Sequence, residues 1–528
     1  MQRDLTRLAD ETFDVLIIGG GVNGLATAYD AAQRGLRVAL VEKGDFGGET
    51  SAASLKIIHG GLRYLQHLDF RRMRESIFER RAMMRMAPHL IDPFPFLVPT
   101  YGSGMKGKSA MSLAMGLNDI ISYDRNRGTA DEKQHLPRGQ IIAPDEVVRY
   151  APCVPKDGLT GGAIFYDGRM YHAERVTLAL GVTAAEHGAC LANYVAATGL
   201  IKGQDQVLGA RVQDQVSGDT FDIRASVTVC AVGPWLPALL AEQPADERYS
   251  AGIQIITRAV TTEGMGLAVP GTQVDPDSKI KRGGRHYFTT PWRGQTIWGT
   301  TDEVYEGDPG AWQVTDAMVR TFLGDLNETL PGIHLKPDDV VHAFGGLRPV
   351  EPEKGSRASQ VSRKYEIADH AEDLKLENLI SIVGIKYTVC RLMAEKITDL
   401  VFKKLGRSSP TCKTAMTPLI GGDFSTRAQL RADLKQTAPE GISPLVIQHL
   451  MRMYGTRATR VLDRVKANPT EGELVPGSDE VIVAELRYAI EEECALTADD
   501  LILRRTDLGT LGEVREETRI FCEQLLNT

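Results

Sequence analysis

Apolar residues near the start of the chain form two short runs with a helical pattern between them. The runs Val15 to Ile18 and Val38 to Val41 are continuous, as in strands that are buried on both faces. The stretch between them keeps helical spacing and ends near Gly35. A strand, a helix and a second strand in this order predict a βαβ unit with parallel strands.

The turn before this helix carries Gly19, Gly21 and Gly24 in G-x-G-x-x-G register. Such glycines let the backbone turn tightly, approach a pyrophosphate and pack the helix on the sheet, while the helix N-terminus binds the phosphates. Glu42 lies close to the spacing of roughly 20 residues expected for an acid that binds a ribose hydroxyl and disfavours a 2′-phosphate. The turn therefore predicts a dinucleotide site, and other parts of the chain must identify the dinucleotide.

The pattern changes further along the chain. From Phe70 to Leu90, apolar residues such as Met73 and Ile77 share one face of a predicted helix. Residues 245 to 345 are rich in strand formers and predict an antiparallel sheet with one face over a pocket. Residues 415 to 528 return to helical spacing. Two or three domains are therefore expected.

Composition narrows the possible functions. The chain has 528 residues, a pI near 5.9 and a formal net charge of -8, which argues against a nucleic-acid partner because phosphate contacts need a basic surface. Its seven cysteines are scattered without a C-x-x-C pair, so neither a disulfide framework nor a zinc site is indicated, and a reducing compartment fits best. No run reaches the roughly 18 apolar residues of a spanning helix. Any membrane contact is expected to be peripheral.

A second glycine-rich loop follows Glu42, with the run T-S-A-A-S-L-K-I-I-H-G-G-L-R-Y-L at residues 50 to 65. This run resembles the second flavin loop of the FAD-dependent glycerol-3-phosphate dehydrogenase family, which leads into the substrate site of that family. Segments 288 to 308, 345 to 349 and 384 to 391 also resemble motifs of the family. The resemblance covers nearly the whole chain.

The resemblance implies an α/β fold with a Rossmann-like FAD-binding domain, an inserted antiparallel-sheet substrate domain and a C-terminal helical domain. The predicted boundaries are 1–100, 161–240 and 346–410 for the three parts of the FAD-binding domain, 101–160 for an insertion with a membrane-facing helix, 241–345 for the substrate domain and 411–528 for the C-terminal domain. In this scheme the C-terminal helices pack against the other domains or form a homodimer. Both alternatives stay open.

The resemblance also assigns site residues, motif by motif. Substrate binding is expected from Arg63, Tyr64, Arg348 and Lys386. Cofactor binding is expected from Gly19, Gly21, Gly24, Glu42, Thr50, Ser51, Ser54, His59, Gly60, Val195, Gly233, Gly384, Lys386 and Thr388. Val195 is expected to present a backbone amide to the adenine.

The implied reaction oxidises sn-glycerol 3-phosphate to dihydroxyacetone phosphate by hydride transfer to flavin N5, with electrons passed to a quinone. Arg348 and His59 are the catalytic candidates. The guanidinium of Arg348 would polarise the reacting oxygen. His59 would bond the cofactor or remove a proton, and the first role is preferred. His172 is expected to pack or to cap a helix rather than to catalyse.

The sequence departs from the family pattern at two places. Residues Ile256 to Ala259 replace K-G-S-H, and Ile385 and Val389 replace a glycine and a threonine of G-G-K-x-T-T. These departures motivate an alternative substrate, another hydroxyalkyl phosphate or phosphonate, or oxygen as the acceptor. A non-catalytic flavin-binding regulator is a third reading.

A predicted helix within residues 105 to 123 is the candidate for membrane contact. Leu113, Leu117, Ile120 and Ile121 share one side of it, with Lys106 and Lys108 before it. In the resembled family such a helix can lie in the membrane interface, and a buried bundle helix is the alternative. The expected location is cytoplasmic, with peripheral attachment to the inner face of the membrane.

Overall fold

The three-dimensional structure is a computed structural model that describes residues 1–102, 107–240, 248–274, 284–349, 366–384 and 386–528. Its strands are β1 Thr12–Ile18, β2 Val38–Val41, β3 Ile57–Ile58, β4 Ile91–Tyr101, β5 Gln140–Ile142, β6 Leu159–Met170, β7 Cys190–Ala192, β8 Val195–Lys202, β9 Val207–Asp214, β10 Thr220–Cys230, β11 Arg248–Arg258, β12 Gly266–Val274, β13 Gly284–Trp292, β14 Gln295–Gly299, β15 Glu303–Glu306, β16 Val340–Pro349, β17 Glu366–Asp369 and β18 Leu379–Val383. The helices are α1 Leu5–Asp10, α2 Val22–Gln33, α3 Phe70–Met86, α4 Lys108–Ile121, α5 Pro144–Tyr150, α6 Ala173–Glu186, α7 Leu236–Leu240, α8 Asp316–Thr329, α9 His370–Asp373, α10 Cys390–Lys404, α11 Arg427–Thr437, α12 Pro444–Tyr454, α13 Ala458–Ala467, α14 Val483–Glu492 and α15 Glu516–Leu526.

The first sheet is the predicted Rossmann-like sheet. Its strands follow the order β17-β18-β10-β1-β2-β7, and the central pairs are parallel. β1 begins three residues earlier than predicted, and β2 has the predicted bounds. Helix α2 packs against α6 and α10. Every residue of β1 after Thr12 is buried, as its continuous apolar run requires.

The second sheet has the order β15-β11-β14-β13-β12-β4-β6-β3, with β16 beside β11 and β5 beside β6. Most pairs are antiparallel, as expected, and β12 pairs with β4 in parallel. The predicted domain boundaries need one correction, because β4 and β6 lie in this sheet and not in the FAD-binding domain. Their pairing joins segments separated by a long insertion, which local patterns do not reveal.

The C-terminal helices α11 to α15 form their own core and contact the first sheet domain through buried ion pairs. Arg505 donates to both oxygens of Asp45 at 2.6 and 2.8 Å, and Arg504 also pairs with Asp45. Arg505 and Asp45 are fully or almost fully buried. A short turn after α14 thus fixes this domain next to the loop that follows Glu42.

Helix α4 buries one face and exposes the other. Met111 and Met115 pack against the second sheet, whereas Leu113 and Ile120 are 67% and 71% exposed. Leu117 is also exposed, Ile121 is half-buried, and Lys106 lies outside the described residues. Within the described ranges, no helix is both long and apolar enough to cross a bilayer. Among the residues that the structure describes, none covers the side that carries Leu113, Leu117 and Ile120.

Candidate functional site

An elongated cavity of about 780 Å³ lies between the two sheets. Its walls are the turn after β1, the end of β2, the loop of residues 49 to 59, part of β8, residues 231 to 240, strands β11 and β16, and the turn after β18. The volume is in the range of pockets that hold cofactors and small ligands. Segments from both sheets therefore converge on one space.

The glycine turn forms one end of this cavity. Gly19 has φ +106°, and a Cβ there would lie 2.6 Å from the carbonyl oxygen of Ala231, so only glycine fits. Gly21 lines the cavity, whereas a Cβ on Gly24 would lie 1.9 Å from the oxygen of Gly19. Gly24 therefore serves helix packing, which is the role predicted for the third glycine.

Glu42 lines the same end and is held by backbone donors. The N–H groups of Gly20 and Gly44 donate to its carboxylate at 2.6 and 2.9 Å, while burial raises its pKa. Val195 also lines the cavity, but its N–H donates to the carbonyl of Glu42 at 2.8 Å. The prediction that the Val195 amide faces an adenine is therefore wrong, because β8 uses that amide to join β2.

The loop after Glu42 gives the cavity several polar side chains. Thr50, Ser51, Ser54 and His59 all line it. Ser51 Oγ accepts a hydrogen bond from the N–H of Val22 at 2.9 Å, so the loop is tied to the first turn of α2. This contact fixes the distance between the phosphate-binding turn and the second loop.

Gly60 does not line the cavity. Its N–H donates to Asp167 Oδ1 at 2.6 Å, and a Cβ there would lie 2.3 Å from Nη1 of Arg80. Arg80 and Asp167 form a buried ion pair behind the loop. The assignment of Gly60 to cofactor binding is therefore corrected to a packing role.

His59 is half-buried and is held in its neutral form. Burial lowers its pKa to about 3, and the positive charges of Lys386 and Arg80 act in the same direction. Its N–H donates to Thr388 Oγ1 at 3.2 Å, which joins the second loop to the turn after β18. Gly384, Lys386 and Thr388 in that turn line the cavity, as Gly233 does on the opposite wall.

Cations concentrate at the far end of the cavity. The Lys386 Nζ lies 4.4 Å from the centre of the Tyr64 ring, and burial together with the charge of Arg63 lowers the Lys386 pKa to about 8. Arg63 and Tyr64 lie behind the lining residues, in a 3₁₀ helix at Leu62–His67. The structure thus brings together three residues that the sequence assigned to substrate binding.

Arg348 approaches the cavity from β16. Its Nη2 donates to Ser250 Oγ at 2.9 Å and lies 3.7 Å from Asp302. Ser250 lies on β11, directly opposite Arg348 in the pairing of β11 with β16. Gly252 leaves room for the guanidinium, because a Cβ there would lie 3.1 Å from Arg348 Nη2. The side chain is therefore oriented by the sheet and faces the space shared with Lys386.

The segment Ile256 to Ala259, which differs from the family pattern, does not line the cavity. Ile256 is buried among Trp292 and Ile297, and Trp298 Nε1 donates to Thr257 Oγ1 at 2.8 Å. Val389 is buried outside the cavity wall, and Ile385 lies outside the described residues. The departures at 256 to 259 and 389 thus change the packing of the protein rather than the cavity lining.

Gln254 and Thr300 are among the polar residues of the cavity wall that sequence reasoning missed. Gln254 could have been found from the period of two along β11, which puts Ser250, Gly252 and Gln254 on one face. Thr300 follows β14 in a loop of segment 288 to 308, which resembles the family, but the residue pattern of that segment does not mark Thr300 as a site residue.

A buried polar network connects the second loop to the C-terminal domain. Lys56 pairs with Glu174, and Glu174 contacts His172 at 3.1 Å. His172 caps α6 by accepting from the Arg175 N–H, which confirms the capping prediction. His172 Nε2 lies 3.0 Å from the carbonyl of Thr506. This network supports the loop from behind.

His449, Glu480 and Asp507 are close enough to hold a metal ion. The guanidinium of Arg293 already pairs with both carboxylates. A cation therefore occupies this position as a side chain, and the cluster is better described as an ion network.

Comparison with known families identifies both parts of the chain. Residues 14–400 match the family described as FAD dependent oxidoreductase, and residues 412–519 match the C-terminal domain of alpha-glycerophosphate oxidase. A glycerol-3-phosphate dehydrogenase of Synechocystis is 32% identical over 519 residues, with 96% of this chain and 91% of that protein covered. The mitochondrial glycerol-3-phosphate dehydrogenase of Homo sapiens is 32% identical, with 96% and 69% covered.

Solved structures support the fold. The glycerol-3-phosphate dehydrogenase of Bacillus halodurans, complexed with FAD, superposes with a TM-score of 0.71 at 23% identity and covers 99% of this chain and 95% of its own. The L-alpha-glycerophosphate oxidase of Mycoplasma pneumoniae, with FAD bound, gives 0.54 at 17% identity and covers 76% and 98%. At these identities the likeness concerns the fold.

Proposed function

Because the chain belongs to the FAD-dependent oxidoreductases, and among them to the glycerol-3-phosphate dehydrogenases, we propose that it oxidises sn-glycerol 3-phosphate to dihydroxyacetone phosphate, with electrons passed on to a quinone. The observation that carries the proposal is the single cavity that joins a phosphate-binding glycine turn to a cationic end at Arg348 and Lys386.

The residues present fit FAD. The Gly19 position has no room for a side chain, the first residues of α2, Val22 and Asn23, line the cavity, and the cavity volume suits a large cofactor. We assign the FAD contacts to the lining residues Gly19, Gly21, Glu42, Thr50, Ser51, Ser54, His59, Gly233, Gly384, Lys386 and Thr388. When bound, FAD supplies a hydride acceptor at the flavin ring.

The cationic end binds the substrate in this proposal. Lys386 carries positive charge below its pKa of about 8 and attracts the phosphate, with Arg63 adding charge from behind. Arg348 donates to the oxygen that becomes the carbonyl and stabilises the charge that develops on it. Ser250 holds the guanidinium in position, so little reorganisation is needed when the substrate arrives.

His59 serves the cofactor rather than proton removal. A group with a pKa of about 3 is a weak base near neutrality, and its backbone is tied to Thr388. A neutral imidazole can still exchange hydrogen bonds with a flavin.

Anaerobic reduction of the flavin tests the proposal. The purified protein should be yellow, and sn-glycerol 3-phosphate should bleach it while glycerol without phosphate should not. Other hydroxyalkyl phosphates and phosphonates belong in the same assay. Failure of glycerol 3-phosphate to bleach the flavin, with rapid bleaching by one of the others, would reject the substrate and keep the enzyme class. A protein that neither contains nor takes up FAD would reject the whole proposal.

We also propose that α4 contacts a lipid surface near the cytoplasmic membrane. Leu113 and Ile120 expose their side chains, Tyr123 beyond the helix is 78% exposed, and the guanidinium of Arg74 on α3 lies 5.4 Å from the centre of the Tyr123 ring. Apolar side chains beside a cation suit the interface between lipid tails and headgroups. A quinone dissolved in such a membrane would then be close to the enzyme. Sedimentation with anionic liposomes measures this contact.

A further inference from the structure

Gln254 lines the cavity, yet only one side of its amide is engaged. The side chain is 4% exposed, and Nε2 donates to Thr300 Oγ1 at 3.0 Å. Thr300 Oγ1 in turn donates to the carbonyl of Thr301 at 3.3 Å, so it accepts from Gln254. The Oε1 of Gln254 has no hydrogen-bond partner among the described residues. A buried acceptor without a partner is costly unless a ligand pairs with it.

The position of Gln254 relative to Arg348 indicates which atom of a bound ligand would pair with Oε1. Ser250, Gly252 and Gln254 alternate along one face of β11, and Ser250 and Gly252 are the residues that orient and accommodate Arg348. Alternate residues of a strand are about 7 Å apart. The amide of Gln254 therefore lies on the same face of β11 as the guanidinium, one position further along the strand. Both groups can therefore contact one small substrate.

The chemistry of a carboxamide separates the two roles. A carboxamide oxygen accepts a hydrogen bond but takes up no proton near neutrality. It therefore suits a hydroxyl that keeps its proton through the reaction, whereas Arg348 suits the oxygen that becomes the carbonyl. In a glycerol phosphate, the hydroxyl that keeps its proton is the terminal primary one.

We propose that Gln254 Oε1 accepts a hydrogen bond from the primary hydroxyl of the substrate and that Thr300 orients the amide for this contact. The inference rests on the proposed function, because it concerns the same cavity and substrate. It makes Gln254 a determinant of specificity for phosphates that carry two adjacent hydroxyls. A site built to bind a hydroxyl discriminates strongly against a ligand that lacks it.

The test compares glycerol 3-phosphate with the matching enantiomer of 2-hydroxypropyl phosphate, in which a methyl group replaces the primary hydroxymethyl group. The native enzyme should prefer glycerol 3-phosphate by about 10- to 100-fold in kcat/KM. Gln254→Met, which keeps the length of the side chain and removes the acceptor, should bring this preference close to one by slowing glycerol 3-phosphate alone. Ligand-induced shifts in Tm should follow the same pattern without turnover.

Two further variants make the test specific. Gln295 on neighbouring β14 also has a buried Oε1 without a partner among the described residues, but it lies outside the cavity. Gln295→Met should therefore keep the preference for glycerol 3-phosphate. Thr300→Val should reduce the preference, and Thr300→Ser should restore it. An unchanged preference in Gln254→Met, or an equal loss for both substrates, would overturn the inference and leave the proposed function intact. If neither compound reduces the native flavin, the proposed function and this inference both fail.

Discussion

Two buried regions of the molecule treat charge in opposite ways. Where the C-terminal domain meets the first sheet domain, Asp45 receives Arg504 and Arg505, and these cations lower its pKa to about 2. At the end of the cavity, Lys386 lies close to Arg63, and its pKa is lowered to about 8 by burial and by this like charge. Arg504 also pairs with Asp500, so two carboxylates face two arginines in the first region. Charge is therefore balanced in the first region and accumulated in the second.

This difference separates structural from functional ions. Balanced buried pairs hold two parts of the chain together, and removing one partner leaves a costly charge. Cations gathered in a cavity lower local stability, and an anionic ligand offsets that cost when it binds. The two regions should therefore respond differently to the same kind of substitution.

The largest expected effect is on stability at the domain contact. Asp45→Asn should lower the free energy of unfolding by about 3 to 5 kcal/mol, because it leaves Arg505 buried without its carboxylate. Urea denaturation measures this. Asp499→Asn is the matched control, since its pair with Arg519 is exposed and should be worth at most about 1 kcal/mol. Equal effects of the two substitutions would contradict the comparison.

Asp45 also shows why the sequence reveals one part of this region and not the other. The βαβ unit that leads to Asp45 is local, so glycine spacing and apolar runs predict it almost residue by residue. The partner Arg505 lies 460 residues away. Arg505 lies in the segment that is expected to be the C-terminal helical domain, but no property of the local sequence indicates which carboxylate it meets. The prediction that the C-terminal helices pack against the other domains or form a homodimer does not include this ion pair for that reason.

The second expected effect is on activity at the cationic end. Lys386→Met should lower kcat/KM for glycerol 3-phosphate by about 10- to 100-fold, since a hydrogen bond to a charged group contributes about 1.5 to 3 kcal/mol. Stability should not fall, because the substitution removes a half-buried cation next to Arg63. Steady-state kinetics and urea denaturation of the same variant check both points. Lys403→Met, on the exposed side of α10, should change neither quantity.

The candidate site residues also fall into two groups: some are recognisable from the local sequence, and others depend on partners that are distant in the chain. Residues in the two glycine-rich loops could be recognised by their motifs, and the cavity contains most of them. Gly60 was assigned by motif alone, and its true partner Asp167 is more than 100 residues away. Gln254 lies on a strand whose inner face is known only once β11, β14 and β16 are paired. Sequence therefore predicts the cofactor end better than the substrate end.

A third prediction concerns pH. As pH rises, the contributions of His449 and Lys386 to the free energy of unfolding should change in opposite directions. His449 faces Glu485, Asp507, Glu480 and Arg293, and the carboxylates raise its pKa to about 9 against the effect of burial. Its stabilising effect is full below the unfolded value of about 6.5 and is lost as pH rises through 9. Lys386 binds fewer protons in the folded than in the unfolded state between pH 8 and about 10.4, so its effect on stability improves as pH rises through that window.

Unfolding free energies from pH 6 to pH 10 measure these contributions as differences from variants. The free energy of unfolding of the native protein minus that of His449→Gln should decline between pH 6.5 and 9. The free energy of unfolding of the native protein minus that of Lys386→Met should increase as pH rises above 8. Two slopes of the same sign would show that the surroundings of these groups do not differ as the structure indicates.

The smallest effect on stability is expected at the exposed side of α4, which belongs to neither charged region. The double substitution Leu113→Ser and Ile120→Ser should change the free energy of unfolding by no more than about 0.5 kcal/mol, because both side chains are already in water. Binding to anionic liposomes should nevertheless fall strongly, since that contact depends on the same apolar area. Val216→Ser, at an exposed apolar position on a distant turn, is the control and should leave liposome binding unchanged. If the double variant is destabilised by several kcal/mol and still sediments with liposomes, α4 packs within a protein assembly instead of on lipid.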